Sequence, residues 1–217
     1  MIDTRGIEAV GFDLDQTLYP DSEKIKDRVR NQIASKMLEE RPELIDIRGA
    51  RAYFEERYAI IGSGSRILEE IGYENPKQVM EQCLSDADVL DLIELNPTLT
   101  GILNELKAKY TTYLLTSGHE KLSNEKLARI GISPEQFYNR FYGDTPEIGS
   151  KLDGTAFQYA VNVLGIPAEK HVYVGDRLKS DILPAKKLGM QTIAVWDCIP
   201  EATSSWMHIN RISDELL

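Results

Sequence analysis

The sequence predicts an α/β fold: a mostly parallel sheet flanked by helices and interrupted by an all-helical insert. Three observations predict it. A short apolar run, Ala9 to Phe12, ends in two aspartates, Asp13 and Asp15. From Asn96 onward, short buried-strand patterns alternate with amphipathic helices, the signature of a parallel sheet. Between these two regions, nothing from Tyr19 to about Leu95 reads as a strand.

The first element is therefore a buried strand closed by Gln16, Thr17 and Pro20. Carboxylates are costly at the edge of an apolar core unless they are paired or bound to a metal. Taken alone, the stretch also reads as a polar turn after an ordinary strand. In the insert, Asp21 or Ser22 can cap a helix whose apolar positions Ile25, Val29, Ile33 and Met37 recur every four residues. Arg41-Pro42 ends that helix or starts the next. Helical pattern resumes around Arg51 to Ile60, breaks at Gly62-Ser63-Gly64-Ser65 and resumes at Arg66 to Ile71. Asn75-Pro76 reads as a cap and first-turn proline for a helix through Cys83.

Thr98 to Lys109 is amphipathic, with Leu99, Ile102, Leu103 and Leu106 on one side. Tyr113 to Leu115 is the next strand, ending in Thr116-Ser117-Gly118. A helix over about Glu120–Ile130 stops at Gly131. Ser133-Pro134 opens a short turn before Phe141-Tyr142-Gly143. Lys151 precedes a helix over about Thr155–Leu164, ended by Gly165. Val172 to Val174 is a strand followed by Gly175-Asp176, Ile182 to Leu188 is helical, and Thr192 to Val195 is a strand. The stretch from Ser204 to Leu217 is open between an edge strand, a helix and a contact surface. The expected division is a core of residues 1–18 and 96–217 with a helical cap of residues 19–95.

Composition narrows the function. The 217 residues carry a net charge of −10, which argues against nucleic acid or an anionic membrane as partner. No apolar run approaches the roughly 18 residues a membrane span needs, and no secretory h-region opens the chain, so a cytoplasmic protein is expected. Cys83 and Cys198 lie far apart and are expected to be reduced. Three scattered histidines, His119, His171 and His208, give a zinc site little support.

The chemistry gathers at strand ends: Asp13 and Asp15, Thr116 and Ser117, Lys151, and Asp176 with Asp181. In a parallel sheet these ends lie along one edge, where ligands bind. Several aspartates at one spot repel without a cation, and oxygen ligands with no thiol or imidazole select magnesium. A hydroxyl and a lysine beside them make a site for a phosphoryl group.

This set resembles the haloacid dehalogenase-like superfamily along the whole chain. The pattern Asp-x-Asp-x-Thr stands at Asp13 to Thr17, an apolar strand ends in Thr116, Lys151 precedes a helix, and Gly-Asp-x4-Asp stands at Gly175 to Asp181. Many members have proline where Leu152 stands. The resemblance implies a Rossmann-like core and a mobile helical cap inserted between the first and second motifs. It implies that Asp13 attacks phosphorus and forms an aspartyl phosphate, while Asp15 protonates the leaving oxygen and then takes a proton from water. It implies magnesium held by the Asp13 carboxylate, the Asp15 carbonyl and Asp176. Thr116 and Lys151, with Ser117 beside them, grip the phosphoryl oxygens, and Asp181 orients Lys151 or a metal-bound water. Asp15 favours phosphoryl transfer over dehalogenation, and Gln16 stands where mutases usually have glycine.

Within the family, Asp13 to Pro20 looks most like the pyrimidine 5′-nucleotidase branch, whose cap stretch Gly62 to Leu68 matches only partly. That alignment implies Arg66 at the substrate; a plain surface arginine is the alternative. The expected activity is hydrolysis of a small phosphate monoester, such as a nucleoside 5′-monophosphate. The rivals are a phosphoglycolate-type or other sugar-phosphate phosphatase and a non-catalytic phosphometabolite binder. Gly62-x-Gly64 is not a dinucleotide loop, since Ile67 fills the third glycine position. His119 reads more readily as a first-turn surface residue than as a catalytic one, Arg177 and Lys179 as solvating their loop rather than serving the adjoining metal motif, and Tyr53 and Tyr58 as packing within the cap rather than stacking a base.

Overall fold

The computed structural model describes all 217 residues and contains six strands and nine α-helices. They form two compact units, residues 1–21 with 93–217, and residues 22–92.

In the first unit, β1 (Ala9–Phe12) is buried at every position, as an apolar run in the middle of a parallel sheet must be. The helical unit follows, built from α1 (Glu23–Glu40), α2 (Ile47–Ile61), α3 (Gly64–Glu70) and α4 (Pro76–Asp86). Ser22 is the N-cap of α1 through its extended backbone, without a side-chain cap bond. Asp46 caps α2 by accepting from the Gly49 amide at 2.8 Å. Gly62 ends α2 in the left-handed region at φ 72°, which glycine adopts without strain, and Ser63 opens α3. The unit has its own core of Ile33, Met37, Phe54, Ile67, Leu68 and Cys83. Tyr53 and Tyr58 pack against that core.

The chain then returns to the first unit with α5 (Pro97–Lys109), whose N-cap Asn96 accepts from the Leu99 amide at 3.1 Å. In order follow β2 (Thr111–Leu115), α6 (Glu120–Ile130), β3 (Asn139–Phe141), α7 (Thr155–Leu164) and β4 (His171–Gly175). A π-helical turn at Leu178–Ile182 leads into α8 (Leu183–Lys187), then β5 (Gln191–Val195), β6 (Ser204–Trp206) and α9 (Ser213–Leu216). All pairings are parallel, in the order β3-β2-β1-β4-β5-β6. The C-terminal stretch thus supplies an edge strand and a short last helix.

One face of the sheet packs Tyr113, Leu115, Phe141 and Tyr173 against Phe157 and Ala160 of α7 and Ala185 of α8. Leu115 and Phe157, both fully buried, each contribute roughly 1.5–3 kcal/mol of transfer free energy. Tyr113 lies across Gly11, where a Cβ would come within 2.2 Å of its ring. The ladder continues past the strands: the Asp13 amide donates to Val174 O at 2.9 Å, and the Thr116 amide to Phe141 O at 3.0 Å. These bonds fix the backbone of both residues at the carboxyl edge of the sheet. There β1 sits between β2 and β4, where connections leave in opposite directions and ligands of such sheets bind. No helix is long and apolar enough to cross a membrane.

Candidate active site

Four acidic or basic side chains from three segments meet at the ends of β1 and β4. Lys151, 5% exposed, places Nζ 2.8 Å from Asp13 Oδ1 and pairs on its other side with Asp181. Asp181 is brought in by the π-helical turn. The Arg177 amide donates to its Oδ2 at 2.9 Å, and a Cβ on Gly175 would lie 2.4 Å from Asp181 Cβ. Only glycine leaves that space. Thr17 Oγ1 donates to Asp176 Oδ1 at 3.1 Å and lies 3.5 Å from Asp13 Oδ2. Carboxylate oxygens of Asp13, Asp176 and Asp181 all lie within 4.8 Å of one another.

The electrostatics follow from burial. Burial pushes the Asp13 carboxyl up; Lys151 opposes that and Asp181 adds to it. Burial likewise raises Asp176, to about 8, with Arg177 opposing and Asp181 and Asp13 reinforcing. Burial works against the charge of Lys151, yet Asp13 and Asp181 hold it above the ordinary lysine value. Two buried carboxylates and a third, partly exposed one around a single buried lysine leave the cluster short of positive charge. An all-oxygen donor set of this kind fits a hard divalent cation.

Asp15 points elsewhere. Its Oδ1 accepts from Lys126 Nζ at 2.5 Å and from Tyr19 OH at 2.5 Å. Burial pushes this carboxyl up, but Lys126 and then Tyr19 hold it below its usual value. Gln16, just after it, takes φ 62°, in the left-handed region. Thr116 is buried and accepts from the Gly118 amide at 3.1 Å through Oγ1. Ser117 is exposed; its backbone carbonyl fits against Gly143, where a Cβ would come within 2.2 Å.

Of the residues singled out from sequence, the core therefore brings Asp13, Lys151, Asp176 and Asp181 into one cluster. Asp15 and Thr116 stand at the same sheet edge, and Ser117 faces outward there. Arg66 lies in the first turn of α3 in the helical unit, outside the residues the core assembles. Arg177 does more than solvate its loop: it is half-buried, with Nε 3.7 Å from Asp176 Oδ2. His119 begins α6, its Nδ1 3.8 Å from Asp144 Oδ2. Sequence reasoning missed Lys126. The signal was its place in the buried stripe Ser123, Lys126, Leu127 and Ile130 of α6.

A profile of haloacid dehalogenase-like hydrolases matches residues 7–189. The glyceraldehyde 3-phosphate phosphatase of Methanocaldococcus jannaschii is 32% identical over 208 residues, covering 87% of this chain and 85% of that protein. The protein of the same name from Methanopyrus kandleri is 32% identical over 200 residues, covering 87% and 84%. Among solved structures, an HAD phosphatase from Thermococcus onnurineus superimposes with a TM-score of 0.68 at 21% identity over 97% of this chain and 98% of that one. A β-phosphoglucomutase from Clostridium difficile gives 0.68 at 18% identity over 96% and 94%. These two likenesses concern the fold.

Proposed function

We propose a substrate and a mechanism for a chain that belongs to the haloacid dehalogenase-like hydrolases and is a phosphatase of that family. The substrate is a small phosphorylated sugar of the glyceraldehyde 3-phosphate type, hydrolysed through an aspartyl phosphate. The relatives named for that compound, matched along most of their length, favour it over a nucleoside monophosphate. The observation that carries the mechanism is the buried cluster of Asp13, Lys151, Asp176 and Asp181 at the strand ends.

Asp13 attacks phosphorus with one carboxylate oxygen, and the bond to the sugar oxygen breaks in line. Asp15 gives that oxygen a proton as it leaves. It then takes a proton from the water that cleaves the aspartyl phosphate. Its pairing with Lys126 favours the carboxylate form, which the second step needs. A dianionic phosphoryl group brought beside it works the other way and favours the protonated form for the first step. General acid–base help of this kind typically contributes ~10²–10⁴-fold. Lys151 and Thr116 bind equatorial phosphoryl oxygens, with Ser117 beside them. Asp181 holds Lys151 in place.

Magnesium fits the donor set; Asp13, Asp176 and the Asp15 carbonyl would hold it, and it would supply positive charge to the phosphoryl oxygens. The helical region 19–95 is read as a cap governing substrate choice, with Arg66 a candidate contact.

The test is phosphate release from glyceraldehyde 3-phosphate, hexose phosphates, phosphoglycolate and nucleoside monophosphates, with magnesium or with chelator. Wild type and Asp13→Asn are compared. Magnesium-dependent release that favours the triose phosphate and vanishes in the variant is expected. Preference for pyrimidine nucleotides would overturn the substrate, and an active Asp13→Asn would overturn the mechanism.

A further inference from the structure

Lys126 is the strongest group the mechanism leaves unassigned. It is a lysine on the buried face of α6, 5% exposed, and 111 positions from the carboxylate it pairs with. Burying an ammonium costs several kcal/mol, and an ion pair returns that only with good geometry. An apolar residue in the stripe of Ser123, Leu127 and Ile130 would pack there without that cost. The charge therefore needs a reason beyond packing, and its partner is Asp15.

The pairing is specific to one atom. Lys126 Nζ and Tyr19 OH both reach Oδ1, each at 2.5 Å. They approach from different elements, α6 and the turn after β1, so together they fix both the position and the plane of the carboxyl group. Oδ2 is turned toward Gly118. A Cβ built there would lie 2.9 Å from Ser123 Oγ, 3.4 Å from Thr116 Oγ1 and 3.6 Å from Asp15 Oδ2. Glycine thus keeps a side chain out of the space that borders these three oxygens.

We infer that Lys126 is a positioning residue that, with Tyr19, anchors Asp15 through Oδ1 so that Oδ2 carries the proton. This rests on the acid–base reading of Asp15 above. In the first step the proton passes from Oδ2 to the oxygen leaving phosphorus, as the phosphorus bond to Asp13 forms. In the second, Oδ2 takes a proton from the water whose oxygen attacks phosphorus, as that bond breaks. Lys126 takes no part in either proton transfer and touches neither phosphorus nor the leaving group.

The test uses the full chain with magnesium and a series of alkyl and aryl phosphates of falling leaving-group pKa. Poor leaving groups need the proton most. Lys126→Met should lower kcat/KM about 10–100-fold for alkyl phosphates and within about threefold for the best aryl leaving group, as loss of acid catalysis predicts. KM should change little, and Lys126→Arg should restore most of the loss. In an Asp15→Asn background, Lys126→Met should cost nothing further. Thermal stabilisation by beryllium fluoride with magnesium, which reads the phosphoryl site without turnover, should match wild type.

A loss uniform across the series, a full additional loss in the Asp15→Asn background, or lost beryllium fluoride binding would overturn the inference. If Lys126→Met does not fold, Lys126→Gln and Tyr19→Phe carry the same comparison. If Asp15→Asn itself loses nothing on poor leaving groups, the acid–base reading falls and takes this inference with it. A steep Asp15→Asn series beside a flat Lys126→Met series overturns only the role of Lys126.

Discussion

Lys151 Nζ stands 2.8 Å from Oδ1 of Asp13, a residue 138 positions earlier in the chain. The same nitrogen pairs with Asp181, so one buried cation serves two buried carboxylates. Removing one partner of a buried ion pair typically costs about 3–5 kcal/mol, because the other charge is left unpaired. Lys151→Met should therefore destabilise the metal-free protein by a comparable amount and abolish turnover. Acid should return part of the stability by protonating Asp13, whose carboxyl burial pushes up. A variant as stable as wild type at pH 8 in chelator, by chemical denaturation, would contradict the pairing.

Asp176 gives the cluster a pH signature. Its folded-state pKa, raised to about 8 first by burial and then by Asp181 and Asp13, lies above the roughly 3.9 of an unfolded aspartate. A raised carboxyl stabilises the fold fully below the unfolded value, and that stability is lost as pH rises through the folded one. The metal-free protein should thus lose stability between about pH 5 and pH 8. Magnesium, competing with protons for the same oxygens, should raise Tm more at pH 8 than at pH 5.5. Asp176→Asn should flatten the metal-free slope and remove most of the magnesium shift. Equal magnesium shifts at both pH values would count against cation binding here.

These residues were legible because β1 and β4 are short apolar runs with an abrupt polar end. Strand ends of a parallel sheet share an edge, so Asp13, Asp176 and Asp181 could be placed near one another without coordinates. Lys126 was not legible in that way: on a helix a lysine is ordinarily a surface charge, and only its neighbours Ser123, Leu127 and Ile130 reveal the buried face. The π-helical turn at Leu178–Ile182 also escaped. No helical periodicity encodes it; the bond from the Arg177 amide to Asp181 and the space above Gly175 do. Arg66 and the division at residues 18 and 96 depend on the helical insert, where the Gly62 to Leu68 stretch fits the family pattern only in part.

Trp196 braces the loop that carries the reacting groups. Its indole Nε1 donates to the Thr17 carbonyl at 3.0 Å, and Thr17 Oγ1 in turn donates to Asp176. Trp196 itself takes φ 68°, a left-handed conformation costly for a bulky residue, held by its amide bond to Trp206 O at 2.8 Å. Trp196→Phe keeps an aromatic side chain, smaller than the indole, and deletes the Nε1 donor. The expected cost is about 1–3 kcal/mol of stability for an unpaired carbonyl. Small displacements of catalytic groups are expensive, so kcat should fall by roughly tenfold while KM stays close to wild type. Unchanged kcat with lowered Tm would confine Trp196 to a structural role.

His171 acts on stability with the opposite sign to Asp176. It begins β4 fully buried, its Nε2 3.0 Å from Ile166 O and its Nδ1 3.2 Å from Tyr113 OH. A carbonyl only accepts, so Nε2 carries the hydrogen and Nδ1 accepts from the tyrosine: the ring is held neutral. Burial lowers its pKa below the ordinary histidine value. The unfolded chain therefore binds a proton near pH 6.5 that the folded chain refuses. Stability is unaffected well above that pH and falls as pH drops through it. In the metal-free protein this loss opposes part of the gain from protonating Asp176, making the rise in stability shallower as pH falls below about 6.5. His171→Gln should lower Tm at neutral pH by removing one of the two buried bonds. It should also make stability rise more steeply than wild type as pH falls from 6.5 toward 5. Parallel pH curves for the two proteins would mean that His171 titrates normally in the fold.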